Sequence, residues 1–228
     1  MGLAFSSDGK LLFPVVESFG GESDRLAVDR TDTWETVWSI ATKPLFLKTL
    51  ALSPDGQFAA IAGEVAAFGP PIIHRPQILI VDFSERQVVP TIFGAFPDQN
   101  EIQTLAWSPD GQLLAAGAIV QSTFPGPDVV KIFNPRTGAQ MAGEPVADTA
   151  YAHVSGLSYS PDGQYLVEGY LDGKVRIWDG KHTKLLQAIP VSDHFHTVVG
   201  VSRDIRYFAI GDGKEISVWE LMQSPSMH

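Results

Sequence analysis

The stretch Tyr159–Gly180, YSPDGQYLVEGYLDGKVRIWDG, reads as three short apolar runs separated by two tight turns. In the first turn, Ser160-Pro161-Asp162-Gly163, proline presets φ, aspartate accepts local backbone hydrogen bonds, and glycine takes a left-handed conformation at little cost. Such a turn joins two antiparallel strands. The flanking runs stay apolar or alternate over about four to six residues, the length of a strand rather than a helix.

The pattern recurs along the chain. LAFSSDGKLL begins at Leu3, LALSPDGQFAAIAG at Leu50, LAWSPDGQLLAAGA at Leu105, LSYSPDGQYLVEGY at Leu157, and a worn copy, VGVSRDIRYFAIGD, at Val199. The turn aspartates Asp8, Asp55, Asp110, Asp162 and Asp204 lie 47, 55, 52 and 42 residues apart. Each copy also closes alike, on an acidic or amide residue: LAVD at Asp29, LIVD at Asp82, KIFN at Asn134, RIWD at Asp179 and SVWE at Glu220, after Trp219. Two signals in register at every copy identify an internal repeat of about five units. Small residues such as Ala59, Ala60, Ala115 and Ala116 in the second strands let a neighbouring layer approach closely. No stretch carries a long 3.6-residue period, so the chain reads as all-β.

These copies resemble WD40 repeats, which build β-propeller blades of four strands, a to d. The best copy is the fourth, with Ser160–Gly163, the Asp172–Gly173 turn, and VRIWD at Val175–Asp179. The resemblance implies one propeller domain over residues 1–228, made of about five four-stranded antiparallel blades. These are placed at 2–48, 49–103, 104–155, 156–198 and 199–228. Outer strands are expected near Trp34–Ile40, Gln87–Phe93, Gln140–Val146 and Thr183–Pro190. The family often carries a buried network of His, Ser/Thr, Asp and Trp in each blade. Asp172 and Trp178 match it, His153 lies near the histidine position, and Glu168 stands at the hydroxyl position. Val28, Val81 and Phe133 replace the tryptophan in blades 1 to 3, so apolar packing is expected to hold those blades.

Blade 5 has only LMQSPSMH after Glu220, a poor outer strand, and the chain starts directly at an inner strand. Family propellers commonly close by pairing strands from the two chain ends. Three readings follow: an incomplete ring truncated from the usual seven blades, a five-bladed ring without that closure, or an open arc that self-associates through exposed end blades. Two local conflicts stand out. Pro14 removes a donor from the second strand of blade 1, and Arg203 and Ile205 replace Pro and Gly in the last turn.

The net charge of −10, with no Lys/Arg cluster, argues against nucleic acid. No apolar run approaches the roughly 18 residues that span a bilayer, so no membrane partner is expected. The first residues lack a secretory pattern, and the cytoplasm is the expected compartment, with the periplasm as the alternative. The absence of cysteine rules out disulfides, thiolate metal sites and a cysteine nucleophile.

The distance from turn aspartate to closing residue is 21, 27, 24, 17 and 16 residues in blades 1 to 5. The extra length in the first three lies in the b–c loops Glu17–Asp24, Glu64–Gln77 and Ile119–Asp128. By resemblance these emerge on the face that carries the d–a loops, a common partner-binding face. Phe19, Phe68 and Phe124, with His74 and Arg75, form a protein-binding patch on this reading, set against inward packing of each Phe. Asp193, His194 and His196 are a weak metal set: His-x-His on a strand puts both imidazoles on one face, while a structural d–a loop histidine is the plainer reading. There is no G-x-S-x-G elbow and no H-E-x-x-H, and GDGK at Gly211–Lys214 lacks the Ser/Thr and helix of a phosphate loop. The expectation is a non-enzymatic interaction scaffold with an unknown protein partner and no cofactor. The alternative is the propeller of an enzyme, either a hydrolase-associated gating domain or a lactonase-like ring with a channel metal.

Overall fold

Each a–b turn is locked by the same few groups. In blade 3 the Ser108 hydroxyl donates to Asp110 Oδ1 at 2.6 Å, and the Gln112 amide donates to the same oxygen at 3.0 Å. The Leu113 amide donates back to Ser108 Oγ at 2.9 Å, and Gly111 takes φ 69°. Ser53 with Asp55 and Ser160 with Asp162 repeat the arrangement, and blade 1 builds it from Ser6 and Asp8 with Ser7 in the proline's place. Serine, aspartate and glycine therefore recur because each satisfies a different backbone need of one hairpin turn. The closing residues do the same for the c–d turns. Asp82 Oδ1 accepts from the Ser84 and Glu85 amides, Asn134 Oδ1 from those of Arg136 and Thr137, and Asp179 Oδ1 from those of Thr183 and Lys184.

The computed structural model describes residues 2–16, 24–42, 45–67, 73–93, 96, 101–119, 130–141, 153–171, 173–190, 198–202, 207–211 and 215–220. These form five antiparallel sheets, and no helix occurs among the described residues. Blade 1 comprises β1 (Leu3–Phe5), β2 (Leu11–Val16), β3 (Arg25–Arg30) and β4 (Thr36–Ala41). Blade 2 comprises β5 (Leu45–Leu52), β6 (Phe58–Ala67), β7 (Ile73–Asp82) and β8 (Gln87–Phe93). Blade 3 has β9 (Glu101–Trp107), β10 (Leu114–Ile119) and β11 (Val130–Phe133). Blade 4 has β12 (Val154–Tyr159), β13 (Tyr165–Tyr170), β14 (Lys174–Asp179) and β15 (Leu185–Pro190). Blade 5 has β16 (Val198–Val201), β17 (Tyr207–Gly211) and β18 (Ile216–Glu220). In every sheet the strands pair in chain order. The outer strand expected at Gln87–Phe93 is β8, and those expected near Trp34–Ile40 and Thr183–Pro190 each begin two residues later, as β4 and β15. In blade 3, Gln140 bridges to Phe133, and the rest of the expected strand lies outside the described residues.

Pro14 leaves a visible trace. β2 pairs with β3 at Leu11–Arg30 and Leu12–Asp29 and again at Val15–Leu26 and Val16–Arg25, in one unbroken register that skips Phe13 and Pro14. The missing N–H interrupts the ladder without shifting it.

Alternation along the second strands builds the inter-blade layers. On β6, Ala59 and Ile61 face a cluster with Phe13, Leu26 and Val28 of blade 1, while Ala60 and Ala62 face one with Ile102, Leu105 and Leu114 of blade 3. On β10, Ala116 and Ala118 look back to blade 2, and Ala115 looks forward to Leu157, Leu166 and Trp178 of blade 4. The alanines are fully buried because a large side chain there would hold the sheets apart. The aliphatic residues across from them each contribute about 1.5–3 kcal/mol when fully buried. Val28, Val81 and Phe133 are all buried at the position of Trp178, as the apolar reading of blades 1 to 3 requires.

The blades stack in chain order, β1 and β2 against β5, β5 against β9, β9 against β12, and β12 against β16. Leu3 on β1 is 64% exposed, and Ile216 and Val218 on β18 are 77% and 66% exposed. The described residues form an incomplete propeller whose two end sheets present apolar side chains to solvent.

Candidate functional site

In a four-stranded meander the a–b and c–d turns fall at one end of the sheet and the b–c turn at the other. The locked turns of adjacent blades therefore crowd together on one face, and clefts open between blades 1 and 2, 2 and 3, and 3 and 4. The cleft between blades 2 and 3 encloses about 300 Å³. Its floor is Phe58, Ile80, Val89 and Trp107, and its rim is the two a–b turns with Asp55 and Asp110, plus Asp82 and Arg136 from the c–d turns. Trp107 Nε1 donates to the Ala51 carbonyl of blade 2 at 3.0 Å, so the indole is pinned across the blade boundary. The Arg136 guanidinium sits 6.0 Å above the Phe58 ring.

The rim is negative. Hydrogen bonds from the Ser53 hydroxyl and the Gln57 amide hold the Asp55 carboxyl below its usual range, with a smaller contribution from Arg136. The Ser108 hydroxyl and the Gln112 amide do the same for Asp110, and the Ser84 hydroxyl and Glu85 amide for Asp82. Three carboxylates thus face one guanidinium, a sum of −2 around an apolar floor. At each of the three, the turn hydrogen bonds fall on Oδ1 and none on Oδ2.

The neighbouring clefts differ. That between blades 1 and 2, about 430 Å³, is lined by Phe13, Trp38 and Phe83 with Arg86 and no carboxylate. That between blades 3 and 4, about 400 Å³, has Asp110, Asp162 and Lys181 but no aromatic side chain.

Blade 4 also holds a buried polar cluster around Glu168, the residue at the family's hydroxyl position. Glu168 is fully buried, and its Oε2 accepts from Tyr170 Oη and from Trp178 Nε1, each at 2.8 Å. Its Oε1 lies 2.9 Å from Nε2 of His182, which is itself buried and in the c–d turn at φ 58°. That contact has ion-pair separation without hydrogen-bond alignment. The His182 and Trp178 rings lie 4.2 Å apart, and the Arg176 guanidinium is 3.9 Å from the Tyr170 ring. Burial, then the Glu168 carboxylate, pushes the Tyr159 phenol well above its usual range. The carboxylate thus takes over the acceptor role of the family's hydroxyl, and His182 joins from a turn instead of the usual loop.

Phe19, Phe68, Phe124, Asp172, Asp193, His194 and His196 lie outside the described residues. His74 and Arg75 are on β7, opposite Ala66 and Val65, and the Arg75 side chain is exposed and engaged in an interaction. They sit at the b–c end of blade 2, away from the turn-face clefts. Among the described residues no group of three His, Asp or Glu side chains could hold a metal ion. No helix among them is long and apolar enough to cross a membrane. Sequence reasoning missed Phe58, Trp107 and Arg136. One signal was present: in blades 1 to 4 the residue just before the turn serine is Phe5, Leu52, Trp107 or Tyr159, large and apolar at the mouth of a polar turn.

The family model for the WD domain, G-beta repeat, matches residues 89–119 and 145–179. The first match runs from β8 of blade 2 through β10 of blade 3, so the sequence repeat straddles a blade boundary, and the second ends with β14. Among solved structures, Kuenenia stuttgartiensis hydrazine synthase is similar at 17% identity and a TM-score of 0.74, over 96% of this chain and 71% of that one. At that identity the likeness speaks to the fold alone. No curated protein matches. Repeat sequence and blade architecture agree: the WD-repeat model matches this chain at two places, and the fold is that of a β-propeller.

Proposed function

We propose that the chain is a non-enzymatic protein-interaction module. WD40 propellers are in general protein-interaction domains, and the observation that carries the reading here is the cleft between blades 2 and 3. Its aromatic floor and charged rim are fixed by hydrogen-bonded turns, so a partner meets a preformed surface at little ordering cost. By sequence, Phe68 and Phe124, which lie outside the described residues, mark a second candidate surface for a partner. Random dodecapeptides displayed on phage and selected on the immobilised full chain test this. Saturable binders with single-site isotherms are expected, and a selection no richer than that on an unrelated acidic protein would overturn the reading.

The named neighbour is an enzyme, and an enzyme's propeller is therefore the competing reading. Its discriminator is metal: stoichiometric metal in the purified chain, lost in His194→Ala and His196→Ala, favours that reading over this one.

A further inference from the structure

We propose that the cleft between blades 2 and 3 receives an apolar side chain of an extended peptide, with a lysine or arginine of the same peptide set beside it. This rests on the interaction reading above and names the class of partner. The size selects first. A cleft of about 300 Å³ is at the low end of small-molecule sites, roughly 300–1,000 Å³, and suits one or two side chains better than a cofactor. The floor selects next. Trp107 has its N–H committed to the Ala51 carbonyl, so with Phe58 and Ile80 it offers the ligand only hydrocarbon.

Charge then sets the flank. Asp55, Asp82 and Asp110 outnumber Arg136 in the lining, and with the turn hydrogen bonds on Oδ1 each Oδ2 can still accept from a cation of the peptide. The other two clefts each lack one half of this pairing. The blade 1–2 cleft has aromatics without carboxylates, and the blade 3–4 cleft has carboxylates without aromatics.

The selected dodecapeptides, synthesised with a fluorescent label and titrated by anisotropy, give the test. The enriched peptides should carry Leu, Ile, Met or Phe close to Lys or Arg. Asp55→Asn with Asp110→Asn keeps an acceptor for each turn and removes two charges; binding should weaken about tenfold, the effect of two exposed ion pairs. Val89→Arg, which puts a cation on the floor, should abolish it. A urea melt of each variant controls for folding, and the two variants do not share a folding liability. Peptides that bind these variants as they bind the parent, but are lost with Phe68→Ala and Phe124→Ala, would sink the cleft assignment and leave the interaction reading standing. Acidic peptides, or basic ones without an apolar anchor, would also overturn it. An empty selection overturns both.

Discussion

Glu168 is a charge-bearing side chain with no exposed surface, in a position where the family places a small hydroxyl. Its register explains why it is tolerated. On β13 it shares a face with Leu166 and Tyr170, and on β14 Trp178 reaches it from the same side, so both donors converge on one oxygen. Removing it leaves the buried Trp178 indole N–H without its acceptor, takes one partner from the Tyr170 hydroxyl, and leaves His182 facing a void. Glu168→Ala is expected to cost about 2–4 kcal/mol, from lost packing and orphaned donors together. Glu168→Gln keeps the shape and one carbonyl oxygen, and should cost clearly less. Urea unfolding followed by tryptophan fluorescence checks both; equal midpoints for Glu168→Ala and the parent would show that the cluster adds no stability.

Turns are the elements where this chain's local chemistry is most explicit, and they make its stability sensitive to acid. Asp55 and Asp110 have folded pKa values lowered chiefly by the Ser53 and Ser108 hydroxyls. A carboxyl lowered on folding stabilises above its unfolded value and loses that contribution as pH falls through the folded one. The urea midpoint should therefore hold steady near neutral pH and fall below about pH 4, the unfolded carboxyl range. Asp55→Asn with Asp110→Asn should flatten that fall, and an unchanged acid slope would show that the turns do not carry it. Asp8 and Asp82 are more exposed, and solvent screens their part. The same turns explain what could be read in advance. Ser, Pro, Asp and Gly encode a hairpin within four residues, and each closing Asp or Asn encodes the next turn, so strands and blade count were legible. The cleft was not, because Phe58, Trp107 and Arg136 meet only when two blades stack. Nor was the Glu168 cluster, which depends on strand parity and on a histidine in a turn. Pro14 was legible as a lost donor, but not that the register would survive it.

A propeller normally hides both faces of every blade, and this arc hides both faces only of its inner ones. In blade 4, Leu166 and Trp178 are buried towards blade 3, and Val167, Val175 and Ile177 are buried on the opposite parity, where blade 5 stacks. Among the described residues the end sheets have no such second layer, and Leu3, Ile216 and Val218 are exposed. Each is a large aliphatic side chain on a paired strand, already positioned as the buried ones are, so covering them costs little further ordering. A second copy of the chain supplies surfaces of the same kind. Light scattering on a sizing column across a tenfold concentration range should show a mass that rises with concentration. Leu3→Glu combined with Val218→Glu should return it to that of one chain, since each carboxylate would have to be buried unpaired in the contact. A parent chain that stays at the mass of one copy throughout would show that the arc tolerates its open ends, and the apolar end faces would then play no part in assembly.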